Sequence, residues 1–136
     1  MSELGPGDEE LVRVASLARQ RAYAPHSKYK VGAAIRTKRN KTHSGANVEN
    51  ASYGLTVCAE RTAAFAAVNS GDIGFDAIAI VIDDERLPTP CGACRQVLAE
   101  FSPDMRVILA TTGGKRKVTT LAQLLPEPFL PENLRP

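Results

Sequence analysis

The sequence has no tryptophan, few aromatic residues of any kind (5%) and no apolar run long enough to cross a bilayer. Residues 1–10 are polar and lack the apolar segment of a signal peptide. Basic and acidic residues number 17 and 15, and this near balance predicts neither binding to nucleic acid nor binding to a membrane. The 136 residues are 43% apolar, which is enough for one core, so we expect a single domain spanning residues 1–136.

Cysteine is scarce as well, with only Cys58, Cys91 and Cys94. Three thiols cannot all pair as disulfides, and reduced cysteines fit a cytoplasmic location. Three thiolates can hold a zinc ion and leave its fourth position for water, whereas a closed structural site has four protein ligands. Glu60 follows Cys58 by two residues and is placed to move protons. The pattern therefore indicates a zinc hydrolase.

Hydrophobic periodicity predicts a helix, a hairpin, and then helix, strand, helix and strand, followed by a short edge strand and a last helical turn. This order implies an α/β fold with three layers (α/β/α), in which a mixed five-stranded sheet is covered on both faces. The predicted helices are 9–24, 60–70, 91–101 and 120–125, and the predicted strands are 29–37, 42–49, 76–83, 105–111 and 117–119.

The predicted helix 60–70 is small or apolar around most of its circumference. A helix of this kind must be buried on nearly all sides. In so small a protein, this pattern favours contact with another subunit as well as with the sheet.

The spacing of the cysteines constrains where two helices begin. Cys91 and Cys94 are three residues apart, so in a first helical turn their side chains share a face. Helix N-termini favour thiolate over thiol. Cys58 and Glu60 would lie about 200° apart within a regular helix. Both can face one metal only if Cys58 precedes the helix and Glu60 lies in its first turn.

Three thiolates on a divalent ion carry a net charge of −1, so a positive group is expected nearby. Arg61 and Arg95 each directly follow a motif residue and could donate to sulfur. Arg61 is the preferred residue for tuning the zinc charge, because it adjoins both Cys58 and Glu60. Arg95 is interpreted mainly as a surface or interface residue.

Two motifs together, CAER at 58–61 and PCGACRQV at 90–97, resemble the zinc-dependent cytidine deaminases. The similarity is to their small homotetrameric type with three cysteine ligands. Segments at 23–34, 47–53 and 124–129 resemble further motifs of that family, so the match covers roughly residues 20–130.

The resemblance implies a Zn²⁺ cofactor held by Cys58, Cys91 and Cys94. It implies hydrolytic deamination of cytidine and deoxycytidine to uridine and deoxyuridine, in pyrimidine salvage. Water activated by zinc would attack C4 of the base, with Glu60 as the proton shuttle.

Substrate contacts are also implied by the resemblance. Asn47 and Glu49 would bind the ribose hydroxyls, and the backbone around Ala59 would bind the base edge. Tyr29 would stack on the base at a position where the family usually has Phe. Phe129 would reach a neighbouring subunit's site, in a homotetramer with shared active sites.

Several alternatives remain open at this point. His26 (where the family usually has Tyr) or His43 could supply a fourth ligand to a structural zinc. The enzyme could act on a related nucleoside such as blasticidin S, or on a base within nucleic acid. A non-catalytic, zinc-stabilised binding module is a third possibility, although it leaves Glu60 unexplained.

Overall fold

The computed structural model describes residues 3–134. Its centre is a five-stranded sheet with strand order β2-β1-β3-β4-β5. Only β3 and β4 pair in parallel, and the other neighbouring strands are antiparallel. The strands are β1 (Val31–Thr37), β2 (Thr42–Ala46), β3 (Phe75–Ile82), β4 (Arg106–Thr111) and β5 (Arg116–Thr120), and the helices are α1 (Asp8–Arg19), α2 (Ala59–Asn69), α3 (Gly92–Phe101) and α4 (Leu121–Leu124).

Helix α1 covers one face of the sheet. Its Leu11, Val12 and Ala15 are buried against small side chains of the central strands. The approach is so close that a methyl group at Gly32 would overlap the carbonyl oxygen of Ala15. Glycine at that position therefore sets the distance between α1 and β1.

Helices α2, α3 and α4 cover the opposite face. Because side chains alternate along a strand, β3 presents Ile78 and Ile80 to these helices and Ala79 and Val81 to α1. Leu98 of α3 is fully buried in the same cluster as the two isoleucines. The predicted three-layer arrangement around a mixed five-stranded sheet is confirmed.

Some predicted boundaries were wrong. Helix α1 ends at Arg19 rather than at Ala24, because the backbone of Tyr23 is extended. The Tyr23 N–H donates to the Asn47 carbonyl at 2.9 Å, and its own carbonyl accepts from Glu49 N–H at 2.8 Å. Strand β2 stops at Ala46 for a related reason: Asn47 N–H still donates to the Val31 carbonyl at 3.3 Å, but Val48 pairs with Tyr23 and Val57. Strand β1 begins at Val31 instead of Tyr29.

No helix within residues 3–134 combines the length and the apolar character that crossing a membrane requires.

Candidate active site

Two helix N-termini meet at the cysteines. Cys58 is the N-cap of α2 and Cys91 is the N-cap of α3, and both have extended backbone conformations. Helix α2 begins at Ala59, which confirms that Cys58 precedes the helix and that Glu60 lies in its first turn. Cys94 lies in the first turn of α3 and is fully buried.

The three sulfur atoms form a compact cluster in which all lie within 4.8 Å of one another. The Sγ atoms of Cys91 and Cys94 are 3.4 Å apart, and those of Cys58 and Cys91 are 4.0 Å apart. Tetrahedral zinc with Zn–S bonds of about 2.3 Å places sulfurs about 3.8 Å apart. The donor set and its spacing therefore fit Zn²⁺.

Neither histidine belongs to this cluster, and no carboxylate of residues 3–134 completes it. His43 lies elsewhere, with Nε2 at 3.0 Å from Asp72 and 3.3 Å from the Ser70 hydroxyl. The imidazole ring of His26 packs beside Tyr53, with ring centroids 5.8 Å apart. A closed structural zinc site completed by His26 or His43 is therefore not supported.

A positive charge lies beside the sulfurs, as expected. One terminal nitrogen of Arg61 donates to Cys58 Sγ at 3.4 Å. The Cys94 thiol and the Arg61 guanidinium outweigh burial and lower the pKa of Cys58 to about 5. The neighbouring Cys58, together with burial, raises the pKa of Cys94. The Arg61 guanidinium therefore favours the thiolate form of Cys58.

Arg95 does not serve the sulfurs in this way. Its guanidinium donates to the Pro90 carbonyl at 2.8 Å, the Leu124 carbonyl at 2.7 Å and the Thr89 hydroxyl at 2.9 Å. Among the described contacts, Arg61 therefore donates to a sulfur, whereas Arg95 donates to oxygen atoms.

Glu60 is a buried carboxyl group, with only 5% of the residue exposed. Burial raises its pKa to about 7. A group with a pKa near the working pH can both accept and release a proton. The arrangement is therefore suited to general acid–base chemistry.

A cavity of about 530 Å³ opens beside the sulfur cluster. Its lining brings together five of the predicted substrate or catalytic positions and two of the sulfurs: Tyr29, Asn47, Glu49, Ala59, Glu60, Cys58 and Cys91. The volume is in the range of small-molecule sites. Phe129 does not line this cavity. It is 58% exposed, and its backbone is bonded to the side chain of Gln96.

Asn47 and Glu49 are largely occupied by contacts within the chain. The Asn47 side chain accepts from Val31 N–H at 2.9 Å and donates to the Tyr29 carbonyl at 2.8 Å. The Glu49 carboxylate accepts from the backbone N–H groups of His26 and Ser27 at 2.9 and 3.1 Å, and from the Ser27 hydroxyl. The Ser27 hydroxyl bond is the largest effect that lowers the pKa of Glu49.

Tyr29 lies at the rim of the cavity and is 45% exposed. Its hydroxyl lies 3.5 Å from the Asp84 carboxylate. Burial, followed by the charge of Asp84, raises the pKa of the phenol. The phenol is therefore neutral at pH 7.

Sequence reasoning missed one wall of the cavity. That wall is the irregular segment between β3 and Cys91, and its lining residues are Asp84, Arg86, Leu87, Pro88 and Thr89. Ser27, which supports Glu49, was also missed. The sequence did contain a signal for this wall. A stretch with neither helical nor strand periodicity lies directly before the second cysteine motif, and such a stretch can line a site next to the metal.

Comparison with known proteins gives consistent matches. The family model of the cytidine and deoxycytidylate deaminase zinc-binding region matches residues 6–111. A cytidine deaminase of Sporosarcina psychrophila is 46% identical over 127 residues, covering 93% of each chain. The crystal structure of cytidine deaminase from Burkholderia pseudomallei matches with a TM-score of 0.86 at 48% identity, covering 89% of this chain and 98% of that one.

A blasticidin-S deaminase of Bacillus cereus is also related, at 38% identity over 127 residues, covering 88% of this chain and 89% of that protein. The family match spans most of the chain, and the sulfur cluster fits the metal of that family. The chain therefore belongs to the zinc-dependent cytidine deaminases, a family of hydrolytic enzymes.

Proposed function

We propose that the protein hydrolyses free cytidine and deoxycytidine to uridine and deoxyuridine, with Cys58, Cys91 and Cys94 holding Zn²⁺. One observation carries the proposal. A single cavity is lined by two of the three sulfur ligands, Cys58 and Cys91, by buried Glu60 and by the pair Asn47 and Glu49. A nucleoside has complementary parts, with an amidine-like base at one end and hydroxyl groups at the other.

A zinc ion held by the three cysteines would lower the pKa of water toward 7, which would make that water a better nucleophile at neutral pH. The Glu60 carboxylate takes a proton from that water and delivers one to N3 of the pyrimidine. The water oxygen bonds to C4, and the proton of the resulting C4 hydroxyl then passes to the 4-amino group, so that the C4–N bond breaks and ammonia leaves as the C4 carbonyl forms. Water and cytidine are thus converted to uridine and ammonia, with no net gain or loss of protons by Glu60.

Arg61 and the backbone at Ala59 have supporting roles in this proposal. The guanidinium donates to Cys58 Sγ and so withdraws negative charge from the sulfur. Ala59 is the first residue of α2 and lines the cavity, so we assign its backbone to the base edge. Tyr29 provides the aromatic face for the ring of the base.

The ribose contacts support acceptance of both nucleosides. After its bonds to Tyr29 and Val31, the Asn47 amide has one N–H left. A carboxylate has about four acceptor positions, and Glu49 already uses three of them. One donor and one acceptor are satisfied by a single hydroxyl group. The 3′-hydroxyl, which cytidine and deoxycytidine share, can fill that role.

Three nucleosides that differ only in their sugar test the proposed roles of Asn47 and Glu49. We expect kcat/KM for cytidine and deoxycytidine to agree within about tenfold, because neither leaves a polar group of the site unpaired. For 2′,3′-dideoxycytidine we expect a loss of at least about a hundredfold, because the remaining Asn47 donor and Glu49 acceptor then lack partners. The measurement is the loss of cytidine absorbance. Equal rates on all three nucleosides would contradict the assignment of Asn47 and Glu49.

The same assay separates the alternative substrates. A base within nucleic acid carries a 3′-phosphodiester, whose negative charge would meet the Glu49 carboxylate, so we expect little turnover of a single-stranded oligonucleotide. Blasticidin S belongs in the panel because a blasticidin-S deaminase is among the relatives. Faster turnover of blasticidin S than of cytidine would make it the preferred substrate.

We also propose a homotetramer with shared active sites. The outer face of α2 supports this, since Phe65 is 43% exposed beside exposed Ala66. Tyr53 and Leu55 are also large and apolar, with 75% and 67% of their surfaces exposed. Apolar surface of this kind commonly marks contacts between chains.

Light scattering of the native protein should give a mass four times the 14.6 kDa of one chain. Phe129→Ala should keep that mass and lower kcat/KM by about tenfold, the typical scale of one lost aromatic contact. A monomeric, fully active protein would contradict the shared site.

We also propose a single catalytic domain, a cytoplasmic location and a role in pyrimidine salvage. Within residues 3–134, two hydrophobic clusters cover the two faces of one sheet, which supports a single catalytic domain. Three reduced cysteines are best preserved in a reducing compartment such as the cytoplasm. The reaction would return pyrimidine nucleosides to the uridine pool, which is a salvage role.

A further inference from the structure

The wall of the cavity formed by residues 84–90 is weakly held by its own backbone. The segment has no regular secondary structure. Within the described part of the chain, residues 84–90 take part in no backbone-to-backbone hydrogen bond. Five of these seven residues line the cavity. Side chains must therefore determine where this wall lies.

One side chain holds the end of this wall that is nearest to the sulfurs. Arg95 donates to the Pro90 carbonyl and to the Thr89 hydroxyl, at 2.8 and 2.9 Å. These two residues directly precede Cys91. The third bond of the same guanidinium, at 2.7 Å, goes to the Leu124 carbonyl where α4 ends. Arg95 thus fastens the wall to a helix on the same face of the sheet.

The geometry points to Arg95 as a positioning residue for the nucleoside cavity. It fixes the Thr89–Pro90 wall against α4 and so sets the direction from which the chain enters Cys91. This inference rests on the proposed nucleoside site, since it states what keeps one wall of that site in place.

The chemistry of arginine explains why this residue type is required. A guanidinium is planar and offers five N–H donors in a fixed fork, so it can hold three acceptors from separate segments at once. Lysine has a single nitrogen on a flexible stem and cannot span the same three acceptors. Arg95→Lys therefore keeps the charge but loses the bridge.

Kinetics and proteolysis of Arg95→Lys and Arg95→Gln test this inference. We expect KM for cytidine to rise about tenfold in both variants, the scale of one lost charge-assisted bond, with a smaller change in kcat. We also expect faster trypsin cleavage after Arg86, an exposed residue within the wall, with the fragment identified by mass spectrometry. A role in global stability alone would lower the melting temperature without moving KM.

Arg116→Gln is the matched control. Arg116 also bridges separate segments, donating to Glu9 and to the carbonyls of Thr111 and Lys115. It does not line the cavity. We expect Arg116→Gln to have the same KM for cytidine, and the same rate of trypsin cleavage after Arg86, as the wild-type protein has.

The outcomes are separable. An unchanged KM and an unchanged cleavage rate in the Arg95 variants would overturn the inference. So would loss of zinc at unchanged KM, because Arg95 would then act on the metal. If Arg95→Gln does not fold, Arg95→Lys and Thr89→Val, which removes one of the three acceptors, provide the same comparison. Failure of the wild-type protein to deaminate cytidine would overturn the proposed function, while the proteolysis would still report on the wall.

Discussion

Glu60→Gln should lower kcat for cytidine by about 10²- to 10⁴-fold, the usual contribution of a general acid–base group. Glutamine has nearly the same shape as glutamate but cannot take a proton from water or deliver one to N3. Within residues 3–134 the metal-binding cluster consists of the three cysteines alone, so it offers no carboxylate that could replace Glu60. The measurement is steady-state turnover followed by the loss of cytidine absorbance.

The zinc content and the fold are the controls for this variant. A neutral amide is easier to bury than a carboxylate, so Glu60→Gln should unfold at the same or a higher temperature than the wild-type protein. Glu10→Gln is a matched change on the exposed face of α1, where Glu10 pairs with Arg13, and it should leave kcat unchanged. Wild-type turnover in Glu60→Gln with full zinc content would exclude the proposed proton shuttle.

Removal of zinc should abolish turnover, and adding Zn²⁺ back should restore it. The three sulfurs lie within 4.8 Å of one another, which suits a single shared ion. Without the ion, no described group of the chain can lower the pKa of water as zinc does. A thiol reagent gives a second measurement: half-buried Cys58 and exposed Cys91 should react in the metal-free protein and should be protected in the zinc form.

Single substitutions should distinguish the zinc ligands from residues that do not bind the metal. Cys94→Ala should lose zinc, because this buried sulfur lies 3.4 Å from Cys91 Sγ. His43→Ala should retain zinc, since His43 pairs with Asp72 and lies outside the sulfur cluster. Full activity of the metal-free protein would rule out the zinc mechanism altogether.

The metal-binding elements could be predicted because the relevant information is local. The spacing of Cys58 and Glu60 allows only one position for the start of α2, and the structure begins the helix there. Cys91 and Cys94 likewise place the start of α3. The order of the periodic segments along the chain was enough to predict the three layers and the mixed sheet.

The parts that could not be predicted depend on contacts between distant segments. Helical periodicity continued past Arg19, but Tyr23 pairs with residues near 48, which local periodicity does not reveal. His43 had no visible partner in the sequence, because Asp72 is 29 residues away. The three acceptors of Arg95 include Leu124, also 29 residues distant, so its bridging role was visible only in three dimensions.

The Asn47 side-chain amide has a structural role and a proposed role in substrate binding, and this limits how the enzyme can be re-engineered. One of its two N–H donors and one of its two acceptor positions fasten the chain on either side of Lys30, through Tyr29 and Val31, and we propose that the remaining N–H binds the sugar. A substitution of Asn47 that is chosen to admit a new sugar would also remove the hydrogen bonds that hold the start of β1. Efforts to retune this enzyme for modified nucleosides should therefore spare Asn47 and vary the opposite side of the cavity.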